Sequence, residues 1–225
     1  MALALACAIA LLLAASLLGQ VSKYKLGHDH VLGLVWLFNV DGERNVPTWY
    51  SAVALLASSL LLGVIGFLHR QEGDRFAAHW LGLSFVFLYA SADEAASIHE
   101  LLDPILHQRL SLPRFLQFAW VVVGIPVVLL LGVAYFRFLA NLPRRFLRWF
   151  VAAAAIYLSG AVGVELAGSI YSAAFGIDNL GFSLITTVEE GLEMAGVAMF
   201  IYALLEYVAE RFGTVCVRIQ DRPRP

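Results

Sequence analysis

The sequence predicts an all-α membrane protein, a polytopic bundle of six transmembrane helices with both termini in the cytoplasm. Three observations predict this fold class. Of the 225 residues, 60% are hydrophobic and only 14% are charged, a composition that would expose too much apolar surface on a soluble domain. Six apolar stretches reach the roughly 20 helical residues needed to cross a bilayer. Lysine and arginine concentrate in alternate connecting segments, which is the pattern of the positive-inside rule.

The six apolar stretches define the predicted helices. They occupy residues 2–21, 48–69, 78–103, 116–138, 147–169 and 183–208. The first is interpreted as a helix and not as a signal peptide, because it lacks basic residues at its start and a small-residue cleavage site at its end. Asn45 is predicted to cap the second helix, with Pro47 in its first turn. In the fifth helix Ser159, Gly163 and Ala167 recur every four residues, which predicts the close approach of another helix.

The distribution of charge predicts the orientation of this bundle. Ten of the fifteen basic residues fall on one side, which is therefore predicted to be cytoplasmic. The outer side receives twelve of the seventeen acidic residues. Residues 1–210 are predicted to form a single transmembrane domain, and 211–225 a short cytoplasmic tail. The outer loop 22–47 is predicted to cap the domain, and its apolar middle, too short to span, lies in the interface or dips inward.

Ionisable residues accumulate near the outer ends of three helices. The segment SADEAASIHE, residues 91–100, places three acidic residues and a histidine at the end of the third helix. At about 1.5 Å of rise per residue, carboxylates of the third, fifth and sixth helices fall in one layer of the outer half of the membrane. The predicted cluster consists of Asp93, His99, Glu100, Glu165, Glu189, Glu190 and Glu193, with Glu94 nearby. Glu94 lies about 100° around the helix from Asp93, so it is predicted to point away from the other acids and toward the first outer loop.

This cluster predicts a bound divalent metal. Carboxylates without nearby lysine or arginine need cations or protons for neutralisation, and carboxylates combined with imidazole suit Zn, Fe or Mn. Such a centre would support metal-dependent hydrolysis or oxygen activation. The predicted ligands are His99, Glu100, Glu165, Glu189 and Glu193, with Glu190 and Asp93 as supporting or alternate ligands. The predicted catalytic residues are Glu94, as general base, and Asp93. The first loop is predicted to contribute His28, His30, Asp41, Glu43 and Arg44.

Two other functions remain open at this stage. The chain fits a structural subunit or scaffold of a membrane complex whose acids are protonated or hydrogen-bonded. It also fits a proton or cation transporter, although few polar residues continue a path through the cytoplasmic halves of the helices. The net charge of −2 predicts no nucleic-acid partner. The predicted partners are the lipid bilayer and, as alternatives, further copies of the chain or other membrane subunits.

Two segments together carry a resemblance to a known group of proteins. These are FNVDGERNVPTWYS at 38–51 and SADEAASIHE at 91–100, the second of which contains a DExxxxHE pattern. The pair resembles a group of uncharacterised bacterial multipass membrane proteins, over most of the chain. The resemblance implies six helices and a location in the bacterial inner membrane, and it implies no established activity.

Overall fold

The computed structural model describes residues 1–110, 113, 116 and 118–213, and these residues form an all-helical fold. The helices are α1 Ala2–Leu26, α2 Leu34–Leu37, α3 Val46–Gln71, α4 Ala77–Ala96, α5 Leu102–Arg109, α6 Val121–Ala140, α7 Arg144–Leu158, α8 Glu165–Phe175 and α9 Leu180–Phe212. A π-helical segment, Ser159–Val164, joins α7 to α8, and 3₁₀ turns lie at Val31–Gly33 and His99–Leu101. The predicted all-α fold class is confirmed.

Five segments of the described residues are long and apolar enough to cross a membrane. They are α1, α3, α6, α9 and the continuous run Arg144–Phe175. Helix α4 has 20 residues, but His79, Asp93 and Glu94 lower its mean hydropathy. The chain is therefore a helical membrane protein, while the sixth span and the cytoplasmic termini stay predictions. Residues 214–225, most of the predicted tail, lie outside the described residues.

Serine hydroxyls hold α4 antiparallel against α3. The hydroxyl of Ser59 donates to the backbone carbonyl of Ser84 at 2.7 Å, and the hydroxyl of Ser84 donates to the carbonyl of Ser59 at 2.8 Å. Nearer the loop end, the hydroxyl of Ser91 donates to the carbonyl of Ala52 at 2.8 Å. Small polar residues of this kind let transmembrane helices approach closely and hydrogen-bond across the interface. The seam brings the acidic end of α4 next to the first turn of α3.

The predicted small-residue stripe on the fifth helix is wrong as a contact surface within this chain. Ser159, Gly163 and Ala167 are all exposed. A Cβ built on Gly163 would meet nothing within 4 Å in the described part of the chain. The glycines of this segment that face α9 are Gly160 and Gly168, each one position after a residue of the stripe.

Two glycines produce the close contact between α7 and α9. A Cβ on Gly160 would lie 2.7 Å from the carbonyl oxygen of Glu189, and a Cβ on Gly196 would lie 2.8 Å from the backbone nitrogen of Tyr157. Real Cβ atoms do not come this close to backbone atoms, so neither position has room for a larger residue. The glycines set how closely the π-helical segment approaches the acidic part of α9.

A buried histidine fixes α3 to α9 at the opposite end of the bundle from the first loop. The Nε2 atom of His69 lies 2.8 Å from the Tyr207 hydroxyl, and Nδ1 lies 2.8 Å from Asp74 Oδ2. Trp80 stacks on the imidazole with 5.7 Å between ring centroids, and Phe138 of α6 meets Trp80 edge-on at 4.9 Å. This aromatic core anchors α6 at one end only.

The first loop dips into the bundle, which is one of its two predicted arrangements. Val40 is 4% exposed and packs with Ile9, Leu12 and Met194. Its backbone N–H donates to the hydroxyl of Ser16 at 3.2 Å. Because Ser16 precedes the end of α1 by ten residues, the loop reaches about 15 Å below that end.

Side-chain hydrogen bonds lock the loop onto the start of α3. Asn45 is the predicted N-cap, and its Oδ1 accepts from the Thr48 N–H at 3.2 Å. Its amide nitrogen donates to the carbonyl of Asn39 at 2.6 Å, and the Thr48 hydroxyl donates to the carbonyl of Gly42 at 2.9 Å. Gln20 of α1 donates to the Asn39 side chain at 2.6 Å. The bonds give residues 39–42 a fixed position.

An ion pair joins α1 to the connection between α8 and α9. Lys23 Nζ lies 2.7 Å from Asp178 Oδ1, and the Tyr24 hydroxyl donates to the same oxygen at 2.8 Å. The hydrogen bond from Lys23 holds the pKa of Asp178 below its ordinary value. Since Asp178 is fully exposed, solvent screens this pair and the buried contacts carry the packing.

Candidate functional site

A cavity of about 460 Å³ opens at the end of the bundle that carries the first loop. Nine acidic residues line this acidic cavity: Asp41, Glu43, Asp93, Glu94, Asp103, Glu165, Glu189, Glu190 and Glu193. His99 adds an imidazole, and the described residues of the wall include no lysine or arginine. The volume lies within the roughly 300–1,000 Å³ of small-molecule sites. The arrangement forms a concave surface of strongly negative character.

Most residues of the predicted cluster reach this one cavity. From the helical part of the cluster, Asp93, Glu94, His99, Glu165, Glu189, Glu190 and Glu193 are on its wall. The side chain of Glu100 lies outside the described part of the structure.

The first loop contributes only part of what was predicted. Asp41 and Glu43 line the cavity. His28 and His30 are exposed and are not on its wall. Arg44 is also exposed and away from the wall, with a left-handed backbone at φ 60°. The acidic residues reach the cavity and the histidines do not because the hydrogen bonds that hold residues 39–42 inward act only on the end of the loop nearest α3.

A break in α4 creates the contact between Asp93 and His99. One oxygen of Asp93 accepts from the His99 backbone N–H at 2.8 Å, and the other lies 3.0 Å from His99 Nδ1. The helix ends because Ser97 adopts a left-handed conformation with φ 50°. The predicted helix 78–103 is therefore wrong in its last turns. An unbroken helix would place His99 roughly 120° around the axis from Asp93.

Asp103 and Trp120 close the same side of the cavity. The Asp103 carboxylate accepts from the Trp120 backbone N–H at 2.8 Å, which ties α5 to the start of α6. The Trp120 ring meets the His99 imidazole edge-on, with 5.4 Å between centroids. Neither residue belongs to the predicted site. The signal for Asp103 is its place in the first turn of a short helix, where acidic residues are favoured.

The opposite wall is built by the π-helical segment and α9. Glu165 is the first residue of α8, and its carboxyl group lies beside that of Glu189. The hydroxyl of Tyr157 lies beside Glu193. Glu189 is only 8% exposed. The close approach at Gly160 brings these groups together, because it leaves no room for a side chain between the two backbones.

Glu94 faces both the first loop and α9. It interacts electrostatically with Glu43 of the loop and with Glu190 and Glu193 of α9. The predicted contact with the loop is confirmed, and the predicted separation of Glu94 from the other acids is wrong. Two like charges 4 Å apart repel by about 4 kcal/mol at an effective dielectric constant of 20. These carboxylates can all be ionised only if cations compensate them; without cations some of them bind protons.

The carboxylates are spread over the wall of the cavity. In the described residues, no three His, Cys, Asp or Glu side chains are grouped closely enough to hold a metal ion as they stand. One carboxylate oxygen on the wall, Glu43 Oε2, is buried without a hydrogen-bond partner among the described residues. A metal ion in this cavity therefore requires rotation of the glutamate side chains toward it.

A second cavity, of about 370 Å³, adjoins the first. It lies between α4, α6, α7 and α9, and its described wall is apolar apart from Tyr135 and Tyr157. This apolar crevice shares Ala90, Val128, Tyr157 and Leu158 with the acidic cavity. The two cavities therefore meet at a common boundary, polar on one side and apolar on the other.

Comparison with known proteins shows the family of the chain. No curated protein and no solved structure matches it. One family profile matches residues 2–207, which is nearly the whole described chain. The chain belongs to the family described as Domain of unknown function (DUF8692).

Proposed function

We propose that this protein binds a divalent cation, Zn²⁺, Mn²⁺ or Fe²⁺, in the acidic cavity and performs metal-assisted chemistry there, at the outer face of a bacterial inner membrane. A single observation carries the proposal. Nine acidic residues and one imidazole face one cavity, whose described wall has no lysine or arginine. Oxygen and imidazole donors are the ligands that these metals accept.

The proposed ligands are His99 and three glutamates of the facing wall. The imidazole of His99 is held by Asp93, which is the carboxylate–histidine arrangement that orients metal ligands in proteins. Glu165, Glu189 and Glu193 supply carboxylates from the facing wall. Glutamate side chains have three rotatable bonds, so they can converge on an ion without movement of the helices.

The chain's own residues then divide between positioning and proton transfer. Both oxygens of Asp93 contact His99, which assigns Asp93 to positioning in place of its predicted catalytic role. Glu94 lies among the other acids on the wall and is the group that we assign to accept a proton. With a divalent ion held by these residues, the site would supply metal-bound water of lowered pKa as the nucleophile for hydrolysis.

The apolar crevice favours this function over ion transport. A transporter needs polar groups on both sides of its ion site. On the side away from the loop, the acidic cavity adjoins a wall whose described residues are apolar apart from two tyrosines. The geometry therefore supports a site that opens at one face.

Equilibrium dialysis of the purified chain against Zn²⁺ and Mn²⁺ tests the proposal. We expect at least one equivalent bound by the wild type, and at least tenfold weaker binding by Glu193→Gln. Glu206→Gln is the matched control, because Glu206 lies on the same helix, paired with Arg145 at 3.0 Å and away from the cavity. No binding by the wild type, or equal binding by the two variants, would contradict the proposal.

A further inference from the structure

The apolar crevice is a consequence of how α6 is attached. Phe138, 1% exposed, anchors α6 against Trp80 of α4 near one end of the bundle. Between Phe138 and the end of the bundle that carries the first loop, the backbone of α6 lies further from the neighbouring helices. The backbones of α3 and α4, by contrast, lie close to each other. Gly132 faces the gap, and a Cβ there would meet nothing within 4 Å in the described chain. The crevice therefore lies within the membrane-spanning part of the bundle.

Its position relative to the acidic cavity determines what fits both. The two spaces share four wall residues. One of them is Tyr157, whose hydroxyl lies beside Glu193. A molecule that filled both would have an apolar chain at one end and a polar group at the other.

We propose that the acidic cavity and the apolar crevice together form one binding site for a membrane lipid with an ammonium head group. The hydrocarbon chain lies in the crevice, and the ammonium group lies among the carboxylates. The inference rests on the proposed function, since it gives the cation-binding cavity a substrate class. It draws on a separate observation, which is the crevice.

Charge complementarity selects the head group. The described wall of the cavity offers nine acidic side chains and no lysine or arginine, so its electrostatic potential favours a positively charged head group over a neutral or negative one. An ammonium group donates hydrogen bonds to carboxylates and neutralises them. Phosphatidylethanolamine carries this group, whereas phosphatidylglycerol has a net negative head group.

The hydrocarbon chain in the crevice positions the lipid but contributes little to its binding affinity. Lipid tails around the protein are as apolar as the crevice, so moving a chain into it gains packing but little hydrophobic free energy. Discrimination between lipids must therefore come from the head group. A side chain that fills the crevice should still weaken lipid binding. The hydrocarbon chain would then clash with the protein when the head group is bound in the acidic cavity.

Native mass spectrometry of the purified full chain in detergent tests this inference. The protein is titrated with phosphatidylethanolamine or phosphatidylglycerol of the same acyl chains, in a chelator, so that the titration does not depend on bound metal. We expect the first equivalent of phosphatidylethanolamine to bind at least tenfold more tightly than phosphatidylglycerol. Gly132→Leu, which fills the crevice, should weaken that binding at least tenfold.

Gly163→Leu is the matched control. A Cβ at Gly163 also meets nothing within 4 Å of the described residues, and this glycine is not on either wall. If Gly132→Leu fails to fold, Ala154→Leu places the same side chain on the crevice from α7. The double variant Glu94→Gln, Glu193→Gln should abolish the preference for the ammonium head group.

Two results would overturn the inference. One is equal affinity of the wild type for both lipids, or preference for phosphatidylglycerol. The other is wild-type binding by folded crevice variants. The metal and lipid proposals fail separately: lipid binding in chelator without any metal binding in dialysis would sink the proposed function and leave the lipid site standing. Metal binding with no lipid selectivity would leave the proposed function standing and overturn the lipid site.

Discussion

Replacement of Gly160 by alanine should separate the two helices that carry the glutamates of the cavity. The new Cβ would lie 2.7 Å from the carbonyl oxygen of Glu189, 3.1 Å from Glu193 Cγ and 3.2 Å from Leu192 Cβ. Ordinary contacts at such an atom are 3.4 Å or more. Because the nearest atom belongs to the backbone, it cannot rotate away, and the π-helical segment must move outward from α9.

The magnitude follows from a comparison with Gly163 in the same segment. Gly163→Ala meets nothing within 4 Å of the described chain and should gain up to about 1 kcal/mol from the better helix propensity of alanine. Gly160→Ala gains the same propensity but also overpacks, which costs about 1–3 kcal/mol. The propensity cancels in the difference between the variants. We therefore expect Gly160→Ala to be about 1–3 kcal/mol less stable than Gly163→Ala.

Reversible unfolding in mixed micelles with increasing SDS, followed by circular dichroism, measures the free energy of unfolding of both variants. Dialysis against Zn²⁺ on the same samples should show weaker binding by Gly160→Ala only, since the movement carries Glu165 away from the glutamates of α9. Stabilities that agree within ~0.5 kcal/mol, the range of an ordinary surface substitution, would refute the reasoning about close approach.

Three further predictions concern contacts that hold the bundle and the loop. Tyr207→Phe leaves the buried His69 without one partner and should lower the free energy of unfolding by about 1–3 kcal/mol in the same SDS assay. Asn45→Ala removes the helix cap and should cost about 1 kcal/mol, with faster hydrogen exchange at the Thr48 amide; unchanged exchange would contradict the cap. Ser97→Gly suits the left-handed backbone and should raise stability by roughly 1 kcal/mol, whereas Ser97→Val should lower it, as thermal unfolding would show.

Depth along the helices could be predicted from the sequence because the rise per residue of a helix is nearly constant. That constant was enough to place Glu165, Glu189 and Glu193 in one layer without knowledge of the packing. All three line the acidic cavity. The direction in which a side chain points around the helix axis was harder to predict, since it depends on the backbone conformation of every residue between the two positions compared. One irregular residue, Ser97, turns His99 into direct contact with Asp93, which a regular helix would not allow.

The features that were missed lack a local sequence signal. Nothing at Ser97 marks a helix end, since left-handed backbone is expected of glycine or asparagine. The glycine that meets α9 is Gly160 and not Gly163, although both stand in the same apolar run. Tyr157 and Trp120 resemble ordinary interfacial aromatics until the fold places them on the cavity wall. In each case tertiary packing decides between local alternatives.

These irregularities share one location. The broken end of α4, the π-helical segment before Glu165 and the inward dip of the first loop all border the acidic cavity. Departures from regular structure that gather at one place are expected at functional sites, where packing elsewhere compensates for them.

The carboxylates themselves argue in the same direction. An acidic side chain at the centre of a spanning helix costs about 2.5–3.5 kcal/mol on insertion scales. A scaffold could satisfy the same hydrogen bonds with serine or threonine, as the seam of Ser59 and Ser84 does between α3 and α4. Nine acidic residues around one cavity, with no lysine or arginine on its described wall, are costly for packing alone. A bound cation would neutralise the carboxylates, so the free energy spent on placing them there would be recovered when the cation binds. For this reason we favour a binding site over a structural core.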